Sequence, residues 1–394
     1  MMEKVLILDT TLRDGDQAAG AALCPNDKLE LALQLERLKV DIIEAGFPAA
    51  SETELVNMRK IAGVIKGCVV SAFARGKSRD IELAGEAVSK ASSPRIEVAV
   101  PVSDIHVIRQ LGKSRAYALE MTRESVRQAR KLVSDVAWIG VDSTRADRAY
   151  LAQHMEAAIA AGASTVAIAD TVGFATPPEM DALVRYLLGN VEGIHKNTLA
   201  VHCHDDLGLA TANTLAALQA GAREVQCTIN GLGERAGNAA LEEIVMAVNV
   251  RQGMYPFALG VDTTELVATS HMAARMSGFA VSPNKAVVGS NAFAHGSGMH
   301  QDALLKASET YQIMDPTLVG SGGQSLVIGP HSGRHGLRQK LFELGYPLES
   351  KALEQVFRLA KEQTIGRKTL SNEDLQAIAQ QCMHQNDNSN GAQS

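Results

Sequence analysis

The sequence predicts an α/β chain whose main body is a (β/α)8 barrel of the TIM type, followed by small helical C-terminal subdomains. Three observations carry this prediction. Short apolar, β-branched runs bounded by turn residues alternate with amphipathic helical patterns. Eight such runs occur within about 250 residues, the usual size of a closed barrel. Polar side chains gather at the C-terminal ends of the same runs, where a barrel of this kind collects its reactive groups.

In chain order the strands are Val5 to Asp9, Val40 to Gly46, Cys68 to Phe73, Arg95 to Pro101, Val136 to Asp142, Thr165 to Asp170, Leu199 to His204 and Glu224 to Ile229. Between them lie helical segments such as Lys28 to Lys39 and Leu241 to Val250, the latter with Leu241, Ile244, Val245 and Val248 on one stripe. Strict alternation requires a parallel sheet, and eight repeats favour closure over an open sheet. The barrel is expected over residues 1–268, where the alternation stops. A linker subdomain over 269–330 carries His300 and Tyr311, a small helical subdomain follows over 331–383, and the polar tail 384–394 is expected to be disordered.

The chain has 394 residues, 46% of them apolar, enough to bury one large core and smaller appended pieces. Its net charge is −6, with both signs interspersed, which argues against a nucleic-acid or membrane surface and leaves small-molecule chemistry. Cys24, Cys68, Cys203, Cys227 and Cys382 are scattered and never form a CxxC. Together with an N-terminus that runs straight into the first strand, this points to the cytoplasm.

The chemistry starts at VHCHDDLG. His202 and His204, two apart on a strand, point the same way and can share one ligand. Taken alone, the pair is equally consistent with two solvated polar residues at a strand end. It does not stand alone: strand 1 ends in DTTLRDGDQ, strand 2 in IEAGFP, strand 6 in ADTVG and strand 8 in TINGLGERAGN. Adding Asp14 and the amide oxygen of Asn238 gives a mixed N/O set suited to Mg2+, Mn2+ or Zn2+, with positions left for a 2-oxo acid whose ketone the ion would polarise. Arg13 can hold an oxyanion or enolate, steadied by Glu44. The blander alternatives are a surface ion pair for Arg13 with Glu44 and a helix N-cap for Asn238. The Gly-rich loop with Gly231, Gly233, Glu234 and Gly237 lies where barrels commonly bind phosphate, and its spacing is not the dinucleotide fingerprint.

These stretches, with PNKAVVGSNAFAH, SGMHQD and HSGRH, resemble the 2-isopropylmalate synthase and homocitrate synthase family of acetyl-CoA-dependent condensing barrels, over residues 4 to about 380. The resemblance implies a divalent metal held by Asp14, His202, His204 and Asn238, with Arg13 and Glu44 in catalysis. It implies Thr171 on the 2-oxo acid, acetyl-CoA at the Gly231–Gly237 loop, and a homodimer in which His300 and Tyr311 reach the partner's site to deprotonate the acetyl methyl. A histidine able to be neutral near pH 7 suits that step. His106, His295, His331 and His335 stay outside this set.

The chain departs from the family pattern on strands 4 to 6. Glu97 stands where a histidine is expected, Val141 replaces a glutamate, and AIAD replaces NIPD. If Ala137, Ile139, Val141, Ala167 and Ala169 line the pocket, it is more apolar and roomier than usual. Strand 5 offers no arginine for a second carboxylate and Glu97 is expected to repel one, although PVSD on strand 4 resembles nitrogen-fixation homocitrate synthases. The leading 2-oxo acid is therefore 2-oxoisovalerate, with a bulkier acid such as phenylpyruvate or 2-oxoisocaproate, or 2-oxoglutarate, as alternatives. The sequence ends before the leucine-sensing domain of longer family members, so activity is expected to be insensitive to leucine. A metal-dependent CoA-ester lyase would carry a cysteine loop where GLGERAGN stands, a biotin-dependent carboxyltransferase a lysine where Ala169 stands, and a bare scaffold would not need His300 or Arg13.

Overall fold

The computed structural model describes residues 2–21, 23–323, 325–348, 350–366 and 369–391. Eight parallel strands close into a barrel: β1 (Leu6–Asp9), β2 (Ile42–Glu44), β3 (Val69–Arg75), β4 (Pro94–Pro101), β5 (Asp135–Val141), β6 (Thr165–Asp170), β7 (Thr198–Cys203) and β8 (Glu224–Cys227). Closure comes from β1 pairing with β8, Leu6 opposite Glu224 and Leu8 opposite Gln226. The eight predicted runs match these strands, with ends displaced by a few residues, because the β-branched segments are held by the barrel from both faces.

The outer ring is α1 (Pro25–Arg37), α2 (Glu52–Val64), α3 (Ser78–Val88), α4 (Arg115–Arg130), α5 (Arg148–Ala161), α6 (Pro177–Asn190), α7 (Ala210–Ala220) and α8 (Leu241–Val250). Local chemistry starts and stops these helices. In α6, Pro177 fixes the first turn and the Glu179 carboxylate accepts from the Thr176 backbone N–H at 2.9 Å. At the far end of α5, Gly162 takes the left-handed conformation that closes the helix, φ +106°. Trp138 of β5 faces this ring, fully buried, its indole N–H donating to Thr122 Oγ1 at 3.2 Å.

Register fixes what the lumen contains, since partnered residues of parallel strands face the same way. At the bottom, Arg95 pairs with Glu224 and Asp135, both at 2.8 Å. Above it lie Glu97, Ala137 and Gln226. Higher still, Ala99, Ile139, Ala167 and Ala200 form a partnered row across β4 to β7.

Helix α9 (Leu266–Ser277) belongs with the barrel: Gln34 Nε2 donates to Thr269 Oγ1 at 2.9 Å, and Asn230 Nδ2 to the Ser270 carbonyl at 3.0 Å. The first compact unit therefore runs to Val281, past residue 268 where alternation stops. The second unit, Ser282–Ser394, holds α10 (Gly298–Lys306), α11 (Arg334–Glu343), α12 (Ser350–Gln363) and α13 (Asn372–Gly391). Its core includes Ile328, Leu337, Leu341, Val356, Leu375 and Ile378. Helix α13 continues from that core to Gly391, through most of the stretch read as a disordered tail, since each added residue of a helix already anchored costs little. Residues 392–394 lie outside the described residues. Among the described residues no helix is long and apolar enough to cross a membrane.

Candidate metal centre and substrate pocket

His202 closes the lumen face of β7 and His204 follows two residues on, so both rings turn into the barrel mouth. Their Nε2 atoms stand 3.2 Å apart. Asp14 Oδ2 lies 3.4 Å from His202 Nε2 and 3.6 Å from His204 Nε2. Asp14 is set by the tight turn after β1, where its N–H donates to the Thr10 carbonyl at 2.9 Å. A backbone bridge between His204 and Asn238 brings in the fourth residue. Asn238 Nδ2 donates to the Leu232 carbonyl at 3.0 Å, while its buried Oδ1 has no hydrogen-bond partner. Asn238 does not cap α8, whose N-cap is Ala240.

These residues fit a divalent cation. Two imidazole nitrogens and a carboxylate oxygen lie within 4.8 Å of one another, and Asn238, bridged through its backbone to His204, carries a buried amide oxygen with no hydrogen-bond partner. Neighbouring ligands with bonds of about 2.1 Å to one ion sit roughly 3 Å apart, close to what is seen here. Burial, assisted by His202, pushes His204 down to about 4, leaving its lone pair available. Burial alone would raise Asp14, but Arg13 and the two histidines outweigh it and hold the carboxylate well below its usual range.

The pairing of Arg13 with Glu44 is buried, not a surface ion pair. Arg13 Nε donates to Glu44 Oε2 at 2.7 Å and Nη1 to Asp14 Oδ2 at 2.9 Å, and the guanidinium lies 4.7 Å over the Phe73 ring. Thr10 Oγ1 also donates to Glu44 Oε2, at 2.5 Å. Although burial opposes the charge on Arg13, Glu44 and Asp14 more than compensate and its pKa rises.

Glu97 sits in the lumen, accepting from Gln226 Nε2 at 2.8 Å, and its Oε1 is buried without a partner. Burial, then the neighbouring Glu44 charge, hold this carboxyl well above the usual range, which favours the protonated form. Repulsion of a second substrate carboxylate by a charged Glu97, expected from the sequence, is thereby weakened. Ile139, Ala167 and Ala169 join Ala99 and Ala200 in one buried apolar cluster, with Phe73 and Val141 packed against it. Ala137, one row deeper beside Glu97, is fully buried.

Thr171 follows β6, and its Oγ1 accepts the Asp142 N–H at 2.8 Å. Asp142 also takes Ser103 Oγ at 2.5 Å, His106 Nδ1 at 3.0 Å and Arg145 Nε at 2.7 Å. The sequence-based set omits this cluster; the available signal was that SDIH and VDST both end barrel strands.

In the Gly-rich loop a Cβ at Gly233 would fall 2.0 Å from Asn238 Nδ2, and one at Gly237 2.0 Å from the Gly231 carbonyl oxygen. These two buried glycines thus let the loop close around Asn238, leaving the half-exposed Gly231 and the exposed Glu234 on its outer side. In the second unit the His300 and Tyr311 rings stack 3.9 Å apart.

Residues 4–273 match the HMGL-like family model, and residues 287–368 match the Homocitrate synthase post-HMGL domain-like model. The chain is 47% identical to the 2-isopropylmalate synthase of Syntrophus aciditrophicus, across 95% of this chain and 73% of that one. It is 46% identical to that of Pyrococcus furiosus, across 97% and 76%. The chain belongs to the 2-isopropylmalate synthase family of HMGL-like proteins. Solved structures place this HMGL-like barrel in wider company on fold alone. One is hydroxymethylglutaryl-CoA lyase from Pseudomonas aeruginosa, with TM-score 0.61 and 23% identity over 71% of this chain and 95% of that one. Another is the carboxyl transferase domain of Rhizobium etli pyruvate carboxylase, with TM-score 0.55 and 17% identity over 96% and 59%. The family resemblance drawn from the motifs and the barrel drawn from the alternation are both borne out.

Proposed function

We propose that this chain is an acyltransferase that condenses acetyl-CoA with 2-oxoisovalerate, giving 2-isopropylmalate and CoA. The observation that carries the reading is the convergence of Asp14, His202 and His204 on one point beside the buried Arg13–Glu44 pair, in a chain 46–47% identical to 2-isopropylmalate synthases. A divalent cation, Mg2+, Mn2+ or Zn2+, held by Asp14, His202, His204 and Asn238 would supply Lewis acidity toward the ketone of the 2-oxo acid.

The chain's own groups do the rest. Thr171 accepts the Asp142 N–H with one of its two lone pairs, which fixes the oxygen in place, and its hydroxyl hydrogen donates to the substrate carboxylate. Arg13, locked by Glu44 and Asp14, stabilises the oxyanion that forms as the ketone carbon is attacked. His300, stacked on Tyr311, takes a proton from the acetyl methyl, and the carbanion bonds to the ketone carbon. The alkoxide left on the former ketone oxygen takes up a proton, water then cleaves the thioester, and CoA leaves while the second carboxylate stays on the 2-isopropylmalate. The 2-oxo acid's side chain rests on Ile139, Val141, Ala167 and Ala169, with Glu97 and Ala137 deeper. Acetyl-CoA lies against the outer side of the loop, at Gly231 and Glu234, whose shape Gly233 and Gly237 maintain.

A homodimer in which His300 and Tyr311 serve the partner's site completes the reading. Its location is the cytoplasm, in keeping with five free cysteines. The test is thiol release from acetyl-CoA by the Mn2+-loaded chain. With 2-oxoisovalerate as the 2-oxo acid, release should exceed that without any 2-oxo acid, stop with EDTA and in His202→Ala, and yield 2-isopropylmalate by mass spectrometry. Release indifferent to chelation, or none at all, would falsify it.

A further inference from the structure

The lumen wall beside the metal centre is built from unusually small side chains. Barrel interiors of this fold are ordinarily filled by bulky branched residues. Here the partnered row across β4 to β7 reads Ala99, Ile139, Ala167 and Ala200, and Ala169 is the register partner of His202. The space above the row is reached from the mouth. Ala99 and Ile139 keep 4% exposure and Ala169 3%, whereas Ala167, Ala200 and Glu97 keep none. The lumen surface thus steps from His202 and Ala169 down to the alanine row, with Phe73 and Val141 packed against it.

Among the described residues of β4 to β7 the only lysine or arginine is Arg95, and it is held at the bottom of the lumen by Glu224 and Asp135 at 2.8 Å. A dicarboxylic substrate would bury its far charge against alanine and isoleucine without a partner.

We propose that this small-residue wall makes Ala99, Ala167, Ala169 and Ala200 specificity-determining residues that admit 2-oxo acids with apolar side chains larger than isopropyl, such as isobutyl or benzyl, in preference to smaller or doubly charged ones. The inference rests on the condensing reading above and names the substrate class of that site. A larger side chain buries more apolar area against this wall and reaches toward Phe73 and Val141, contacts that a three-carbon branch makes less fully.

The test uses the full Mn2+-loaded chain, acetyl-CoA and four acids: 2-oxoisovalerate, 2-oxoisocaproate, phenylpyruvate and 2-oxoglutarate, with kcat/KM read from thiol release. A value for 2-oxoisocaproate or phenylpyruvate at or above that for 2-oxoisovalerate supports the inference. Lower values for both, or the highest value for 2-oxoglutarate, overturn it. Turnover of none of the four defeats the condensing reading itself, a result distinct from turnover confined to 2-oxoisovalerate. Ala99→Leu should lower the ratio of bulky-acid to 2-oxoisovalerate kcat/KM by about tenfold or more, the usual scale for one to a few methylenes in an apolar pocket. Ala169→Val is the second filling variant should the first not fold, as judged by its melting curve. An unchanged ratio in the folded variant removes the wall from specificity.

Discussion

Arg13 illustrates why residue identity matters more than charge at this site. Its guanidinium uses Nε on Glu44 and Nη1 on Asp14 at once while lying on the Phe73 ring, three contacts that a lysine ammonium cannot reproduce from one position. Arg13→Lys should therefore reduce kcat by about a hundredfold, the scale of losing an oxyanion donor, while bound Mn2+ stays near wild type. Thiol-release kinetics paired with elemental analysis check this, and a fall of under about threefold would remove Arg13 from the chemistry. At this scale the sequence was legible wherever neighbours in a motif are neighbours in space: Arg13 beside Asp14, His202 two from His204. It was opaque where the contact crosses the barrel. The bond between Glu97 and Gln226 links residues 129 apart, and the Glu44 charge that helps raise Glu97 comes from another strand, so the carboxyl read as a repelling anion is held toward its neutral form.

Elements were legible by their period and less so by their ends. Alternation exposes each strand because barrel closure demands it, but helix α9 follows the last strand and joins the barrel through Gln34 and Asn230, contacts no local pattern announces. The strand 8 loop is similar: beside the phosphate cradle its glycines suggest, Gly233 makes room for the Asn238 side chain and Gly237 for the Gly231 carbonyl, contacts the spacing alone does not announce. Gly233→Ala places a methyl 2.0 Å from Asn238 Nδ2, so Mn2+ affinity measured by titration calorimetry should weaken roughly tenfold or more. Gly189→Ala on α6, where a Cβ meets nothing within 4 Å, should leave affinity unchanged. Helix α5 carries a different liability. His154 is buried against Trp138, its Nδ1 2.7 Å from Thr122 Oγ1, and burial, aided by Arg123, lowers its pKa to about 4. The unfolded chain takes up a proton near pH 6.5 and the folded chain does not until about 4, so the stabilisation is present above 6.5 and drains away as pH falls to 4. The full loss is about 3 kcal/mol. Chemical denaturation at pH 7 and pH 4.5 should show His154→Gln losing less stability than wild type over that interval. Equal losses would mean that other groups govern acid sensitivity.

For the whole molecule, the proposed homodimer turns on which chain's His300 serves a given barrel. The chain forms two compact units, with the candidate metal residues and Arg13 in the first and His300 stacked on Tyr311 in the second. If the second unit serves the partner's barrel, a dimer holds two sites, each needing His202 from one chain and His300 from the other. A hybrid of His202→Ala with His300→Ala then contains one site with both lesions and one with neither. Random exchange of equal amounts makes about half the dimers hybrid, and each hybrid has one of two sites intact, so the mixture should recover about a quarter of wild-type activity. Each parent alone should be nearly inactive. If both residues serve the site of their own chain, every site in every dimer carries one lesion and mixing restores nothing. Mild denaturation and refolding of the mixed parents, followed by thiol release with a 2-oxo acid, separates the two outcomes. Wild-type protein taken through the same cycle sets the recoverable maximum.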